Sequence, residues 1–137
     1  MDIRLDGQVA IVTGGAQGIG KETAMLFASV GATVVIWDLA AQAGVDLASD
    51  IGGVFQKVNV ASKAECRAAA EHIVAHLGRI DILVNNAGIL RDAQLVKTKE
   101  GEVVGEMDEA QFDAVIGGNL KGVFNATQAV VPHMIAR

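Results

Sequence analysis

The 137-residue sequence predicts an α/β fold, in which a doubly wound parallel sheet forms a single domain over residues 1–137. Short β-branched runs alternate with longer Ala-rich amphipathic segments. The short runs are almost continuously apolar, as parallel strands are when helices cover both faces of the sheet. A glycine-rich turn, TGGAQGIG at 13–20, follows the first run. The alternation implies right-handed crossovers, and we expect the strand order 3-2-1-4.

Each element of this prediction has a local basis. Strands are predicted at 8–13, 33–38, 53–60 and 81–86. Helices are predicted between them, at 18–29, 40–50 and 62–77. Ser62 is suited to the N-cap of the third helix, and Gly78 to its C-cap.

A long charged connection and a last helix complete the chain. The connection covers 91–107, with a small hairpin turned at Glu100-Gly101, and its length fits a functional lid or a solvated excursion equally well. Arg91 follows the fourth strand at the edge where open α/β sheets bind ligands, so we expect it to reach a substrate or a carrier protein. The last helix begins near Asp108, which forms a capping box with Gln111, and runs to the end of the chain.

Composition and charge argue against several classes of function. The net charge of −5 disfavours nucleic acid and anionic membrane surfaces, because binding phosphate needs clustered Lys and Arg. No apolar run approaches the roughly 18 residues of a membrane span, and the N-terminal MDIRLDGQ lacks the apolar centre of a secretion signal. Cys66 is the single cysteine, which fits a reducing compartment. His72 and His76 have metal-ligand spacing but no third ligand nearby, so no metal is expected. The sequence predicts a cytoplasmic protein.

The glycine-rich turn predicts an anion site. A strand that enters a helix through such a turn presents backbone N–H groups and the positive end of the helix dipole to an anion. Gly14, Gly18 and Gly20 would allow a tight turn, close approach of a ligand and close packing of the helix on the strand. Ordinary turns also contain clustered glycines, but the position between a strand and an amphipathic helix favours a phosphate.

Asp38, at the end of the second strand, indicates which phosphate compound binds. Its carboxylate can accept hydrogen bonds from both hydroxyls of an adenosine ribose and would repel a 2′-phosphate. Gln17 occupies a position in the loop where a basic residue could have bound that phosphate. A turn aspartate is the alternative, but its combination with the glycine loop favours the ribose. The sequence therefore predicts NAD rather than NADP as cofactor.

Asn119 lies inside an apolar helical stripe. The stripe consists of Phe112, Val115, Ile116, Leu120, Val123, Thr127, Val130 and Met134. A buried amide needs several hydrogen-bond partners, and Gly117 and Gly118 weaken the helix just before it. A kink stabilised by Asn119, exposing a carbonyl or holding a water, would explain all three residues. A satisfied core asparagine that bonds a neighbouring strand is the alternative.

With TGGAQGIG at 13–20, NNAG at 85–88 and NLKG at 119–122, the chain resembles the short-chain dehydrogenase/reductase family over essentially its whole length. Within that family it is most similar to the reductases of β-ketoacyl-acyl-carrier-protein and acetoacetyl-CoA. The resemblance implies a Rossmann fold and hydride transfer between a nicotinamide and a carbonyl or alcohol carbon. The substrate would be a 3-oxoacyl thioester, or its 3-hydroxy form, on CoA or acyl carrier protein.

The resemblance also assigns roles to matching positions. The pyrophosphate would lie against Thr13, Gly14, Gln17, Gly18, Ile19 and Gly20, the adenine against Asn59 and Val60, and the nicotinamide ribose against Asn86, Ala87 and Gly88. At the position of Asn59 the family more usually has Asp. Asn119 matches the asparagine of the family's proton relay, which acts through a water bonded to the catalytic lysine. Family members pair through the last helix, which implies a homodimer or homotetramer.

The family's other catalytic residues are not in this sequence. The family uses a tyrosine, a lysine four residues later and a serine on a fifth strand, but the chain has no tyrosine. Four strands would also leave the fourth as an exposed apolar edge. We therefore expect a truncated chain that lacks the C-terminal strands of the fold, binds the cofactor and is inactive alone. The alternative is a non-catalytic NAD-binding module, or one half of a split protein.

Overall fold

The computed structural model describes residues 2–90 and 93–137, and within these ranges a parallel sheet forms the centre of the protein. The sheet contains β1 (Val9–Thr13), β2 (Thr33–Asp38), β3 (Val54–Lys57) and β4 (Ile82–Val84) in the order β3-β2-β1-β4. Helices α1 (Gly18–Ser29), α2 (Ala41–Ile51) and α3 (Lys63–Leu77) connect them. This order confirms the predicted 3-2-1-4 sheet.

Alternate residues of the central strands pack on opposite faces of the sheet. Ile11, Val35 and Trp37 are fully buried on the face covered by α3 and by a later helix, where Ile73 joins them. Ala10, Val12, Val34 and Ile36 pack against α1 and α2 on the other face. Because successive side chains of a strand alternate, a strand covered on both sides must be apolar throughout. This explains why β1 and β2 show no polar alternation.

The predicted element boundaries hold best at the helices. Each of the first three helices begins and ends within one residue of its predicted bounds. Ser62 accepts a hydrogen bond from the Glu65 amide at 3.3 Å, and Gly78 ends α3 with a φ of 82°. Strands β3 and β4 are shorter than predicted because each pairs with a single neighbour in the described sheet.

The connection after β4 contains the predicted hairpin. Strands β5 (Val96–Lys99) and β6 (Glu102–Glu106) pair antiparallel around a two-residue turn. Glu100 and Gly101 have φ values of 52° and 82°, the positive values that a tight hairpin turn of matching twist requires. Arg91 lies outside the described residues.

The last helix consists of three parts. Asp108 caps α4 (Glu109–Val115) by accepting from the Ala110 amide at 3.0 Å; no bond from the Gln111 side chain completes a capping box in the described residues. A π-helical segment, Ile116–Lys121, follows at the predicted kink and leads into α5 (Gly122–Ile135). None of the helices in the described ranges is long and apolar enough to cross a membrane.

The π-helical segment interrupts the predicted apolar stripe, of which Val130 and Met134 pack in the core while other members do not. In a π-helix each turn takes an extra residue, so a pattern spaced at 3.6 residues changes face when it passes through the segment. The buried face of α5 is Gly122, Asn125, Ala126, Ala129 and Val130. Phe112, Leu120 and Val123 are instead exposed in this chain, by 52%, 66% and 41%.

Asp81 ties the start of the sheet together. Its Oδ2 accepts from the Val9 amide at 2.8 Å and from Arg79 Nε at 2.7 Å. Its Oδ1 accepts from Arg79 Nη2 at 2.7 Å and from Arg137 Nη1 at 2.8 Å. The hydrogen bonds from Arg79 lower the pKa of this nearly covered carboxyl below its ordinary value. The charged form of Asp81 is therefore favoured by the fold.

We predict that Asp81→Asn lowers the free energy of unfolding at neutral pH by about 1–3 kcal/mol, because charged hydrogen bonds to a backbone amide and two guanidinium groups are lost. The pKa of Asp81 is depressed in the fold, so its contribution is present above the unfolded pKa and is lost as the pH falls through the folded pKa. Urea unfolding of the parent and variant should therefore converge in acid. Asp6→Asn is the matched control, because Asp6 pairs with Arg4 at the same two-residue spacing but is exposed. Equal losses in both variants would contradict the prediction.

Candidate functional site

A crevice opens at the carboxyl ends of the parallel strands, with a volume of about 660 Å³. Its lining includes Gly14, Gln17, Gly18, Trp37, Asp38, Val58, Asn59, Val60, Asn86, Ala87, Gly88 and Ile89. Nine of the predicted site residues are in this lining, so the fold brings together positions far apart in the sequence. Thr13, Ile19, Gly20 and Asn119 are predicted site residues that lie beside or beneath the crevice.

Thr13 and Asn86 join the ends of β1 and β4 beneath the crevice. The buried Thr13 hydroxyl accepts from the amides of Asn86 and Ala87 at 3.0 and 2.9 Å and donates to the Val84 carbonyl at 3.3 Å. Asn86 Nδ2 donates in return to the carbonyls of Thr13 and Gly14 at 3.1 and 3.2 Å. Two short polar side chains thus hold the glycine loop against the loop that follows β4.

Close packing of these loops requires two of the glycines. A Cβ on Gly14 would lie 2.8 Å from the Cα of Ala87, and a Cβ on Gly20 would overlap the carbonyl oxygen of Gly14. Gly18 differs from both, because its φ is 57° and a Cβ there would meet no described atom within 4 Å. At Gly18 the bare backbone faces open space at the rim of the crevice.

The amino end of α1 supplies hydrogen-bond donors to this space. The first N–H groups of any helix have no partner within the helix, and no described side chain caps α1 at Gln17. The partial positive charge of the helix dipole adds to these donors. The Ile19 side chain is 80% exposed, so Ile19 offers the site its backbone. This arrangement suits an anion.

Asp38 lies opposite the helix end and contacts the glycine loop directly. Its Oδ2 accepts from the Ala16 amide at 3.0 Å, and its Oδ1 accepts from the Ala40 amide at 2.9 Å. A carboxylate has about four lone-pair positions, so each oxygen retains capacity for a further donor. Asp38 therefore fixes the loop and can accept hydrogen bonds from a ligand.

The segment after β3 forms another wall of the crevice. Asn59 Oδ1 accepts from the Ala61 amide at 3.0 Å, and the Asn59 amide donates to Glu65 Oε1 at 3.2 Å. These bonds turn the chain sharply, and the buried Val60 follows in the crevice lining. An apolar side chain next to a polar turn suits a flat heteroaromatic ring.

Asn119 is not the buried core residue that the helical stripe predicted. It is exposed in the π-helical segment, and its amide pairs with one backbone unit. Oδ1 accepts from the Ile89 amide at 2.7 Å, and Nδ2 donates to the Ile89 carbonyl at 2.9 Å. Asn119 thus fixes the loop after β4 to the last helix, and one Nδ2 hydrogen remains for another acceptor.

Sequence reasoning missed two buried residues of the site. Trp37, the one tryptophan of the sequence, lines the crevice and donates from Nε1 to Gln56 Oε1 at 2.7 Å. Its position just before Asp38 on a strand could have identified it. Asn125 is 1% exposed and interrupts an otherwise apolar helix face, which was its signal in the sequence. In residues 2–90 and 93–137 no group of three side chains could hold a metal ion.

Comparisons with known proteins show the family to which the chain belongs. A sequence model of the family described as short chain dehydrogenase matches residues 8–137. The chain is 46% identical to the 3-oxoacyl-[acyl-carrier-protein] reductase FabG of Thermotoga maritima over 97% of its own length and 52% of that protein. It is 39% identical to D-threitol dehydrogenase of Mycolicibacterium smegmatis, covering 98% of itself and 50% of that protein.

A solved structure shows the same fold. The apo form of LigD from Sphingobium sp. strain SYK-6 superimposes with a TM-score of 0.84 at 30% identity, over 96% of this chain and 55% of LigD. The chain spans about half the length of these three relatives. It belongs to the short chain dehydrogenase family.

We predict that Thr13→Val lowers the free energy of unfolding by about 1–3 kcal/mol, because valine has nearly the same shape but leaves the partly buried amides of Asn86 and Ala87 without an acceptor. Thr13→Ser, which keeps the hydroxyl, is the control and should retain most of the stability. Urea denaturation followed by circular dichroism measures both. Similar stabilities of the valine and serine variants would show that the hydroxyl does not join the two loops.

Proposed function

We propose that this member of the short chain dehydrogenase family binds NAD in the crevice and forms the cofactor-binding portion of a hydride-transferring oxidoreductase. One observation carries the proposal. The uncapped amino end of α1, which begins at Gly18, and the Asp38 carboxylate line the same crevice. A dinucleotide needs an anion site and a ribose acceptor in one crevice.

The pyrophosphate fits the glycine loop. At Gly18 no Cβ fills the space over the backbone, and the first N–H groups of α1, which begins at Gly18, have no side-chain cap. Thr13, Gly14, Gln17, Ile19 and Gly20 would then shape and support the loop rather than present side-chain charge. A cradle of backbone amides and helix dipole is suited to a diphosphate, because it supplies donors without a basic residue.

Asp38 favours NAD over NADP. Its oxygens accept from the Ala16 amide of the glycine loop and from the Ala40 amide, and their remaining lone pairs would accept from the hydroxyls of an adenosine ribose. Two ribose hydroxyls can donate to a carboxylate, whereas a 2′-phosphate would bring negative charge against it. No Lys, Arg or His pairs with Asp38 among the described residues, so this repulsion would act without compensation.

The ends of the dinucleotide would lie along the remaining walls. The adenine would contact Asn59 and Val60, with the side-chain amide of Asn59 toward the ring edge and the Val60 side chain against the ring face. Asn86, Ala87 and Gly88 would border the nicotinamide ribose. When bound, the nicotinamide supplies or accepts the hydride.

The substrate would be a 3-oxoacyl thioester or the corresponding 3-hydroxyacyl thioester, carried by CoA or acyl carrier protein. The similarity to a 3-oxoacyl-[acyl-carrier-protein] reductase supports this class. Asn119 is the relay candidate: it holds the Ile89 backbone, and its remaining Nδ2 hydrogen is available to a water that carries the proton. The exposed apolar side chains of α4 and α5, among them Phe112 and Phe124, support pairing with a second subunit.

A second function has one supporting observation. The 137 residues contain no tyrosine, so the family's Tyr-x-x-x-Lys pair is not among them. A non-catalytic NAD-binding module, or one half of a split protein, would share the crevice but not the turnover. NADH oxidation with acetoacetyl-CoA tests the inactivity that both functions imply for this chain: we expect binding without turnover from a sample whose intact mass corresponds to 137 residues. A reading frame that continues into a serine strand and Tyr-x-x-x-Lys would favour the enzyme.

We predict that Gly18→Ala weakens NADH binding by about tenfold or more, because a new methyl group would occupy the space over the phosphate-binding amides. Gly52→Ala is the matched control, since Gly52 has a similar φ of 66° and equally open surroundings but lies at the end of α2. Both variants carry the same backbone strain and should lose similar stability. Quenching of Trp37 fluorescence measures binding, and equal affinities of the two variants would refute the proposed phosphate site.

We predict that the parent chain binds NAD more tightly than NADP and that Asp38→Asn reduces this preference by roughly 5- to 10-fold, because the charge that repels a 2′-phosphate is removed. Asp46→Asn removes the same charge from an exposed position on α2 and should leave the preference unchanged. Titration calorimetry with both dinucleotides gives the ratio. Tighter binding of NADP by the parent chain would contradict the choice of NAD.

A further inference from the structure

Helix α5 holds one wall of the crevice through the carbonyl of Val60. This oxygen accepts a hydrogen bond from Asn125 Nδ2 at 2.9 Å, and the Cys66 thiol lies 3.8 Å from it. Burial raises the pKa of Cys66 to about 11, so the thiol keeps its proton and can donate weakly. The strong bond to Val60 therefore comes from the last helix.

The same helix approaches Val60 at a glycine. A Cβ on Gly122 would lie 2.7 Å from Val60 Cγ2 and 3.3 Å from its Cβ. Gly122 and Asn125 are three residues apart and share a face of α5. One provides the space for Val60, and the other provides the hydrogen bond.

The wall depends on these contacts because the sheet does not continue into it. Strand β3 ends at Lys57, and the Val58 amide makes a last bond to the Asp38 carbonyl at 3.3 Å. From Asn59 to Ala61 the chain turns on the Asn59 side chain and on the bond from the Asn59 amide to Glu65 of α3, neither of which holds the Val60 carbonyl. The contacts of Val60 with Gly122 and Asn125 of α5 therefore determine how far Val60 extends into the crevice.

The hydrogen bonding of the Asn125 side chain indicates what its amide contributes. Its Oδ1 is buried and meets no hydrogen-bond partner in the described part of the chain. An unpaired buried acceptor is destabilising, and an apolar side chain of similar volume would avoid it. What asparagine adds at this position is the donor to Val60.

We propose that Asn125 is a positioning residue for adenine recognition. By holding the Val60 carbonyl, it sets the position of Asn59 and Val60 against the adenine ring, although it does not touch the ring itself. This inference rests on the proposed dinucleotide site. It assigns to α5 a part in cofactor affinity that is separate from the role of Asn119, which holds the Ile89 backbone.

The test compares ligands that occupy different halves of the site, using the 137-residue chain. Asn125→Leu should raise the Kd of AMP and of NAD together, by about tenfold, while the Kd of nicotinamide mononucleotide stays unchanged. Calorimetry measures the first two, and ligand NMR, which detects weak binding, measures the third. Thr127→Val is the control, because it removes another hydrogen bond of α5, to Asn85 Nδ2 at 3.1 Å, away from Val60. It should leave the Kd of AMP unchanged.

A second variant keeps the proposal testable if Asn125→Leu does not fold. Gly122→Ala should weaken AMP selectively by displacing Val60, and the effect should shrink in a Val60→Ala background, where Cγ2 is absent. Unchanged AMP affinity in the folded variants would overturn the inference, as would equal losses for AMP and nicotinamide mononucleotide. Failure of the unaltered chain to bind AMP and NAD would instead refute the proposed function.

Discussion

The Thr13 hydroxyl is the contact on which the rest of the site depends. The pairing of β1 with β4 ends at Val12 and Val84, so the amides of Asn86 and Ala87 that follow need other hydrogen-bond partners. The Thr13 hydroxyl accepts hydrogen bonds from both of these amides and donates one to the Val84 carbonyl. The Asn86 side chain, in the loop after β4, donates in return to the Thr13 carbonyl. Because these bonds replace a continued ladder, the loops approach closely enough to require Gly14 and Gly20, and the crevice opens above them.

Local signals made most of the fold predictable. Helix bounds followed from capping residues such as Ser62 and from glycine at position 78, which act over one turn. The extents of β3 and β4 were less predictable, because a strand lasts as long as its partners do and those partners are distant in sequence. The predicted buried face of the last helix was wrong for a similar reason. A 3.6-residue pattern was carried through Gly117 and Gly118, where the backbone becomes π-helical and changes the face that α5 buries.

The candidate site, like the fold, was predictable only in part. The glycine loop and Asp38 could be singled out in the sequence because the proposed dinucleotide site has characteristic residue types at fixed spacing. Asn119 was identified, but its surroundings were not, since its partner is the backbone of Ile89 rather than a side chain with a sequence signature. Asn125 went unrecognised because what it bonds is a carbonyl 65 positions earlier in the chain. The type of a residue indicates which chemistry it can perform, whereas the sequence gives almost no sign that a residue contacts a distant part of the backbone.

A carboxylate accepts a backbone hydrogen bond near each end of β1, and the two differ in whether a cation neutralises their charge. At the start, Asp81 receives the Val9 amide and is neutralised by Arg79 and Arg137. At the far end, Asp38 receives the Ala16 amide, and no cation of the described chain neutralises it. Dissolved salt screens an exposed, uncompensated charge far more than a covered ion pair. If the crevice binds a dinucleotide as proposed, its discrimination against a 2′-phosphate should therefore weaken as ionic strength rises, while the anchoring of the sheet at its other end stays nearly constant.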